Sequence, residues 1–395
     1  MVRRLRSTLF GLLLLCTLQI ASPKWIGKPS VQSNTLLSTL EAGVNIAASP
    51  VSTRSDVHRK NDLVKVQFEK HVIFKSYCTS HFCKLRRLAG VSDHLFSESL
   101  KKLNVLNSDS KSGQTFWKSA NGVLVLKTMP KHESKTLRAI MDTYTTHLSV
   151  TERPSCLSVI LGMFSVTWKG RVTYLMACKN VFPLDSSRVV DMYDIKGSTV
   201  GRKASSTSKV MKDLDALTRI KLTHEPVLSV QRASLDVLLA AIDRDAAFLE
   251  RLNLMDYSLL VGIERPGGDV GGGDGGLGAC TYPVKGGRER VLEMIASRRR
   301  GGEARTEPPI PYFDPAQQIR GKLVLLSSKP LQLRYHLGII DFLQPYTPRK
   351  RLETLTKGMW FDASCISAVD STKYARRFCA FVRRLCHTPT DTNLK

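Results

Sequence analysis

The stretch Asn253-Leu254-Met255-Asp256-Tyr257-Ser258-Leu259-Leu260 sets one carboxylate inside an otherwise apolar run. A buried carboxylate is costly unless it finds a partner. Asp256 therefore reads either as a cap or as a group that accepts a proton from an attacking hydroxyl. Asp341 repeats the pattern at the end of a strand-like run, Gly338-Ile339-Ile340-Asp341-Phe342. Two separated carboxylates are the minimum that magnesium-assisted phosphoryl transfer requires, one at the hydroxyl and one on the metal. Each aspartate alone is more often structural, so the weight falls on what accompanies them.

Upstream, Gly122-Val123-Leu124-Val125-Leu126-Lys127-Thr128 reads as a buried strand with a lysine near its end. Leu137, Ile140, Met141, Tyr144 and Leu148 then recur at spacings of three and four, which predicts a helix with one apolar face. Glu133 opens that helix. A strand lysine held by a helix glutamate is the arrangement protein kinases use on ATP phosphates. The same pair also suits a surface lysine beside a glutamate that favours the helix dipole. Before the strand, Lys111-Ser112-Gly113-Gln114-Thr115-Phe116 forms a turn that either lays N–H groups over phosphates or closes an ordinary hairpin. Tyr193-Asp194-Ile195-Lys196-Gly197-Ser198-Thr199-Val200-Gly201-Arg202 combines glycines, hydroxyls and cations, and reads as an anion cradle or a basic turn.

The chain carries 59 Lys+Arg against 34 Asp+Glu, a formal net charge of +25. Such a surface favours polyanions, either nucleic acid or an anionic membrane leaflet. No zinc-finger spacing and no aromatic-rich basic stretch is present, so no specific nucleic acid is expected. The 9 cysteines include no CxxC pair and read as reduced thiols.

At the N-terminus, Arg3, Arg4 and Arg6 precede an apolar run over residues 9–21, the layout of a secretory signal. At about 13 residues it is too short to span a bilayer comfortably. Residues 1–22 are accordingly read as a leader that is a signal, an anchor, or a segment that only touches membrane. Residues 23–61 are rich in Ser, Thr and Pro and read as linker. Strand-like stretches at 158–166 and 171–178, with the single helix, suggest a small sheet-based lobe. An amphipathic helix is expected over 235–252, with Leu238, Leu239, Ile242, Ala246 and Leu249 on one side. Residues 265–310 form a glycine-rich, charged insertion read as a flexible loop. A basic amphipathic helix is expected from Lys373 to Leu385.

Taken together, Lys127 with Glu133, the 193–202 segment, Lys212-Asp213-Leu214-Asp215, the Asp256 stretch, Gly338-Ile339-Ile340-Asp341 and the ending Tyr374-Ala375-Arg376-Arg377-Phe378 resemble the phosphatidylinositol phosphate kinases in order and rough spacing. The resemblance implies an α+β fold of two lobes distantly similar to protein kinases, with antiparallel sheets, helices and ATP between the lobes. The kinase domain would cover 62–383, its first lobe 62–182 and its second 183–383, with a tail over 384–395. Lys127 matches the ATP-binding lysine and Glu133 its partner. Ser112 and Gly113 lie in the reduced phosphate loop, and Asn180 and Phe182 match the hinge that holds the base. Asp256 matches the catalytic aspartate, Asp341 the magnesium aspartate, and Lys196 lies near the transferred phosphate or the headgroup.

Lipid choice is attributed in this family to a loop after Asp341. Here Glu353 follows Arg349-Lys350-Arg351-Leu352, which looks like the type I pattern. Lys350, Arg351, Lys357 and Arg202 would meet anionic lipid. The expected reaction converts phosphatidylinositol 4-phosphate to the 4,5-bisphosphate with ATP and Mg²⁺. The alternatives are a type II-like phosphatidylinositol 5-phosphate 4-kinase and a catalytically weak phosphoinositide-binding scaffold. The expected partner is a phosphoinositide in an anionic membrane, with homodimer formation left open. The expected place is cytoplasmic, peripheral at the cytosolic face of a membrane.

Overall fold

Alternating burial along short strands builds the first layer. A computed structural model describes residues 32–48, 57–69, 71–106, 113–150, 154–183, 186–265, 323–326, 333–347 and 369–386. Strands β1 (Val57–Lys60), β2 (Leu63–Glu69), β3 (Val72–Tyr77), β4 (Leu103–Leu106), β5 (Phe116–Ser119), β6 (Leu124–Met129), β7 (Ile160–Trp168) and β8 (Arg171–Lys179) form one antiparallel sheet. Its order is β1-β2-β3-β7-β8-β6-β5-β4.

Helices α1 (Gln32–Ala48), α2 (Thr79–Leu88), α3 (Asp93–Lys101) and α4 (Lys131–Ser149) accompany it. In α4 the buried set includes Leu137, Ile140, Met141, Tyr144 and Leu148, the face that the periodicity predicts. The lobe thus carries more helix than the single one expected from sequence.

Helix α1 corrects the linker reading of 23–61. Its Ser and Thr content hides Leu36, Leu37, Leu40 and Val44, which share one face, and Leu40 and Val44 enter the core. Gly43 lets α1 lie directly on β3, because a Cβ there would strike the Phe74 ring.

A second sheet, in the order β10-β9-β12-β14-β13, contains β9 (Val189–Ile195), β10 (Val210–Lys212), β12 (Ser258–Glu264), β13 (Leu323–Leu326) and β14 (Arg334–Ile340). Among the described strands of this sheet, β9 and β10 run parallel and the other neighbours antiparallel. Short strands β11 (Leu254–Met255) and β15 (Gln344–Pro345) pair separately. Helices α5 (Asp213–Thr223), α6 (Arg232–Arg251) and α7 (Ser371–Cys386) complete this part. Helix α7 continues past residue 383, because Leu385 and Cys386 are buried. The fold is α+β with mostly antiparallel sheets, as expected. No described helix is long and apolar enough to cross a membrane. The leader and the glycine-rich insertion lie outside the described residues, apart from Arg265.

The two sheets meet where Leu157 bridges Ile339, with Ile339 N–H donating to Cys156 O at 2.6 Å and Ser158 N–H to Ile339 O at 2.9 Å. Asp245 on α6 holds this crossing. Its buried carboxylate accepts from Cys156 N–H at 2.6 Å, Leu157 N–H at 3.2 Å and the Ser155 hydroxyl at 3.0 Å. His147 at the end of α4 completes the set, Nε2 lying 2.7 Å from Asp245. These hydrogen bonds, with the Arg244 guanidinium 3.6 Å from Oδ1, satisfy a carboxylate that would otherwise be expensive to bury.

A second polar junction ties α2 to α4. Asp62 accepts from Ser80 N–H at 2.6 Å and from the Thr79 hydroxyl at 2.7 Å, which serves the open start of α2. His81 joins it, with Nδ1 3.2 Å from Asp62 and Nε2 2.8 Å from Asp142. Burial opposes the imidazolium, but Asp142 and Asp62 outweigh it and raise the His81 pKa. A raised folded value means that the stabilisation is full below the unfolded pKa of about 6.5 and is lost as pH climbs through the folded value. Denaturant midpoints are therefore expected to fall as pH rises above about 6.5, and His81→Gln should flatten that slope.

Candidate active site

Strand register gathers the candidate residues at one edge of the second sheet. Strands β12 and β14 are antiparallel with Ser258 opposite Ile340, so the residues just before β12 and just after β14 emerge together. These are Asp256 and Asp341. Strand β9 also runs antiparallel to β12, with Ile195 opposite Leu259, which sends Lys196 out at the same edge. Asp256 and Asp341 turn out of their strands with φ of 65° and 58°. Asp tolerates this left-handed conformation better than most residues because its short side chain can bond locally.

Two lysine–aspartate pairs result. Lys196 donates from Nζ to Asp256 Oδ1 at 2.7 Å and to Asp256 O at 2.7 Å. Lys127, buried on β6, donates from Nζ to Asp341 Oδ1. The structure thus gives Lys127 a different partner from the expected one. Glu133, in the first turn of α4, acts on Lys127 through charge, and the hydrogen bond goes to Asp341.

Burial would raise the Asp341 carboxyl, but the Lys127 ammonium, with help from Lys196, holds it below the ordinary carboxylate value. Burial works against the Lys127 ammonium too, yet Asp341, with Cys178 and Glu133, raises it above the usual lysine value. Glu133 itself is pushed up by burial, against the pull of Lys127. The result is an ionised pair beside a second ionic pair.

Asn180 frames the crossing between the sheets. Its amide donates to Gly122 O at 2.8 Å, its N–H to Val123 O at 2.9 Å, and its Oδ1 accepts from Phe182 N–H at 3.2 Å. The following residues bed on glycines of the second sheet. A Cβ on Gly262 would lie 2.6 Å from the Phe182 ring, and one on Gly338 2.7 Å from a Val181 methyl. Glycine inside a strand marks such a close approach, a signal that sequence reading passed over. Gly113, with φ of 67°, leads into β5, where Thr115 and Thr128 exchange bonds across β5 and β6. Ser112 lies outside the described residues, as do Lys350, Arg351, Glu353 and Lys357.

The 193–202 segment does cradle an anion, but the anion is internal. Asp213 is fully buried, and its Oδ1 accepts from Lys196 N–H at 3.0 Å, Gly197 N–H at 2.7 Å and Ser198 N–H at 3.2 Å. Arg202 donates from Nε to Asp213 Oδ2 at 2.7 Å and lies 3.2 Å from Asp194 Oδ1. This corrects the expectation that Arg202 meets lipid, since a buried guanidinium shared by two carboxylates is not available to a headgroup.

Behind Asp256, Tyr257 packs edge-on against Tyr374 and Phe378 of α7, with ring centroids 4.7 and 4.9 Å apart. The Tyr374 hydroxyl donates to Tyr257 O. Aromatic pairs of this geometry add about 0.5–1.5 kcal/mol beyond area burial, so α7 stiffens the turn that carries Asp256. Asp213, Asp245, Gly262 and Gly338 are the organising residues to which sequence reading assigned no role.

The family model described as Phosphatidylinositol-4-phosphate 5-Kinase matches residues 97–385. Phosphatidylinositol 5-phosphate 4-kinase type-2 alpha of Sus scrofa is 30% identical over 385 residues, covering 89% of this chain and 91% of that protein. The type-2 alpha protein of Homo sapiens is 29% identical over 385 residues, with 89% and 91% covered. The type-2 beta protein of Rattus norvegicus is 28% identical over 389 residues, with 89% and 90% covered. A match over most of the chain, on a fold whose strand ends present two lysine–aspartate pairs, shows that the chain belongs to the phosphatidylinositol phosphate kinase family of lipid kinases.

Proposed function

We propose that the protein transfers the γ-phosphoryl group of ATP to a ring hydroxyl of a phosphatidylinositol monophosphate, working peripherally at the cytosolic face of an anionic membrane. The carrying observation is the paired arrangement of Lys127 with Asp341 and Lys196 with Asp256 at one sheet edge. Two ammonium groups suit the phosphates, and two carboxylates suit a hydroxyl proton and a hard cation. Among the described residues no cluster of three or more His, Cys, Asp or Glu is arranged to hold a metal. That fits Mg²⁺, which commonly takes one or two carboxylates and completes its shell with phosphates and water. Asp341 would hold it, and when bound it neutralises charge on the phosphates.

The protein's own groups do the rest. Asp256 accepts the proton of the attacking hydroxyl. Lys196 orients Asp256 and offers its ammonium to the transferring group. Lys127 fixes the nucleotide phosphates, and strand β6 of the first sheet with the strand ends of the second keeps the four side chains together.

For the lipid, the names of the relatives favour phosphatidylinositol 5-phosphate as substrate and the 4-hydroxyl as acceptor. This displaces the 4-phosphate 5-kinase expectation from first place. A second reading keeps that activity, favoured by Glu353 after the basic run at 349–351. Vesicles carrying either monophosphate, incubated with ATP and Mg²⁺, separate the two. We expect label in the 4-position from the 5-phosphate lipid, with preference of at least about tenfold, a difference of about 1.4 kcal/mol. If Glu353→Ala shifts the preference and the 4-phosphate lipid is used better by the wild type, the second reading stands. An inactive wild type that still binds these vesicles would favour the scaffold alternative.

A further inference from the structure

The internal anion of the 196–198 turn does more than fill space. Three successive N–H groups converge on Asp213 Oδ1, from Lys196, Gly197 and Ser198 at 3.0, 2.7 and 3.2 Å. Backbone nests of this kind hold phosphates in many proteins. Here the chain closes the nest with its own carboxylate, delivered by the first residue of α5.

The other side of Lys196 is held through the same carboxylate. Asp213 Oδ2 takes Arg202 Nε at 2.7 Å, and the far end of that guanidinium bonds the main-chain oxygen of Asp194, two residues before Lys196. The chain after the turn is also secured, since Asp215 Oδ2 accepts from Ala204 N–H at 2.8 Å and Lys212 N–H at 3.1 Å. Lys196 is therefore clamped before and after its own Cα. Its side chain, 17% exposed, is left one well-defined place, with Nζ on Asp256 Oδ1 and Asp256 O, each at 2.7 Å.

We infer that Asp213 is a positioning residue for phosphoryl transfer, which fixes the 196–198 turn so that the Lys196 ammonium is delivered to Asp256 and to the reacting phosphate. This rests on the kinase reading proposed above. Asp213 is fully buried and both its oxygens are taken by the turn and Arg202, so its effect must pass through Lys196. That requirement separates positioning from a general contribution to folding.

The test is a double-mutant cycle on the full chain, read as lipid phosphorylation at saturating ATP. Asp213→Asn alone should lower kcat about 10²-fold, the scale of a small misplacement of a catalytic group, with KM for ATP changed less than about threefold. In a Lys196→Met background the same change should cost less than about threefold. Full additivity in the two backgrounds would overturn the inference.

Asp213→Gly supplies a second variant. It opens the nest beside Arg202, and sodium formate should raise its turnover at least about tenfold while sodium chloride does not. No response to formate counts against the inference.

A readout without lipid keeps this result distinct from the kinase reading itself. Lys196 in the wild type should acylate slowly with an amine-reactive ester, measured by peptide mass spectrometry, and at least about fivefold faster in Asp213→Asn as the turn loosens. An inactive wild type with this acceleration would sink the kinase reading, and with it the role in phosphoryl transfer, while keeping the clamping of Lys196 by Asp213. Equal labelling rates would sink the positioning inference.

Discussion

Asp341→Asn is expected to lower lipid phosphorylation on the order of 10³-fold while leaving the protein folded. The magnitude corresponds to about 4 kcal/mol at 1.36 kcal/mol per tenfold, within reach of a lost metal carboxylate. The fold should survive for two reasons. Asn accepts the left-handed backbone that residue 341 adopts at φ 58°. Only the Lys127 end of the pair is buried, 7% exposed against 47% for Asp341, so the loss costs on the order of 1–3 kcal/mol, which a folded domain withstands. Lys127 also keeps Glu133 as a nearby charge. Turnover and thermal unfolding measured together check this, since a loss below about tenfold would remove Asp341 from the chemistry. The pH dependence has a definite sign. A depressed folded pKa means that this carboxylate's contribution is present above its unfolded value and is lost as pH falls through the lower folded one. Asp341 should therefore add no acid limb to the activity profile near neutrality.

How far these residues could be read in advance depended on how local their signals are. The strand before Asp341 and the face of α4 announce themselves through periodicity, and both are found where expected. Asp256 stands out because a lone acid in an apolar run breaks its surroundings. Asp245 does not stand out. It sits on an amphipathic helix among other acids, and the groups it satisfies lie 88 to 98 residues away. Arg202 misled for a different reason, since its partner lies only 11 residues on. Its neighbours in sequence suggest an anion cradle, but the anion arrives on α5. The Lys127 partner comes from 214 residues downstream, and no spacing rule reaches that far. Helix α1 escaped because its polar residues outnumber the few leucines that pack. The basic run at 349–351 and Glu353, read from sequence as the lipid-selecting loop, lie outside the described residues.

Gly197→Ala is expected to unfold at a temperature roughly 2–5 °C lower than the wild type, by a route that its neighbour Gly201 exposes. Both glycines have positive φ, 73° and 68°. An alanine pays about 1 kcal/mol at either site for that conformation. The surroundings then decide. At Gly201 a Cβ meets nothing within 4 Å. At Gly197 it meets Phe378 Cα at 3.0 Å and Arg377 O at 3.1 Å, both backbone atoms of α7 that no rotamer change can move. Such overpacking adds about 1–3 kcal/mol. Gly201→Ala should thus cost about a third of what Gly197→Ala costs. The functional consequence follows from geometry. Any relief at Gly197 must shift either α7, which braces Tyr257, or the turn that carries Lys196. Both displacements act on Asp256, so turnover of Gly197→Ala should fall about 10²-fold even at temperatures where the protein is fully folded. Gly201→Ala, with no neighbour to displace, should keep near wild-type turnover. Equal losses in the two variants, in unfolding temperature and in turnover, would mean that α7 does not brace the Lys196 turn.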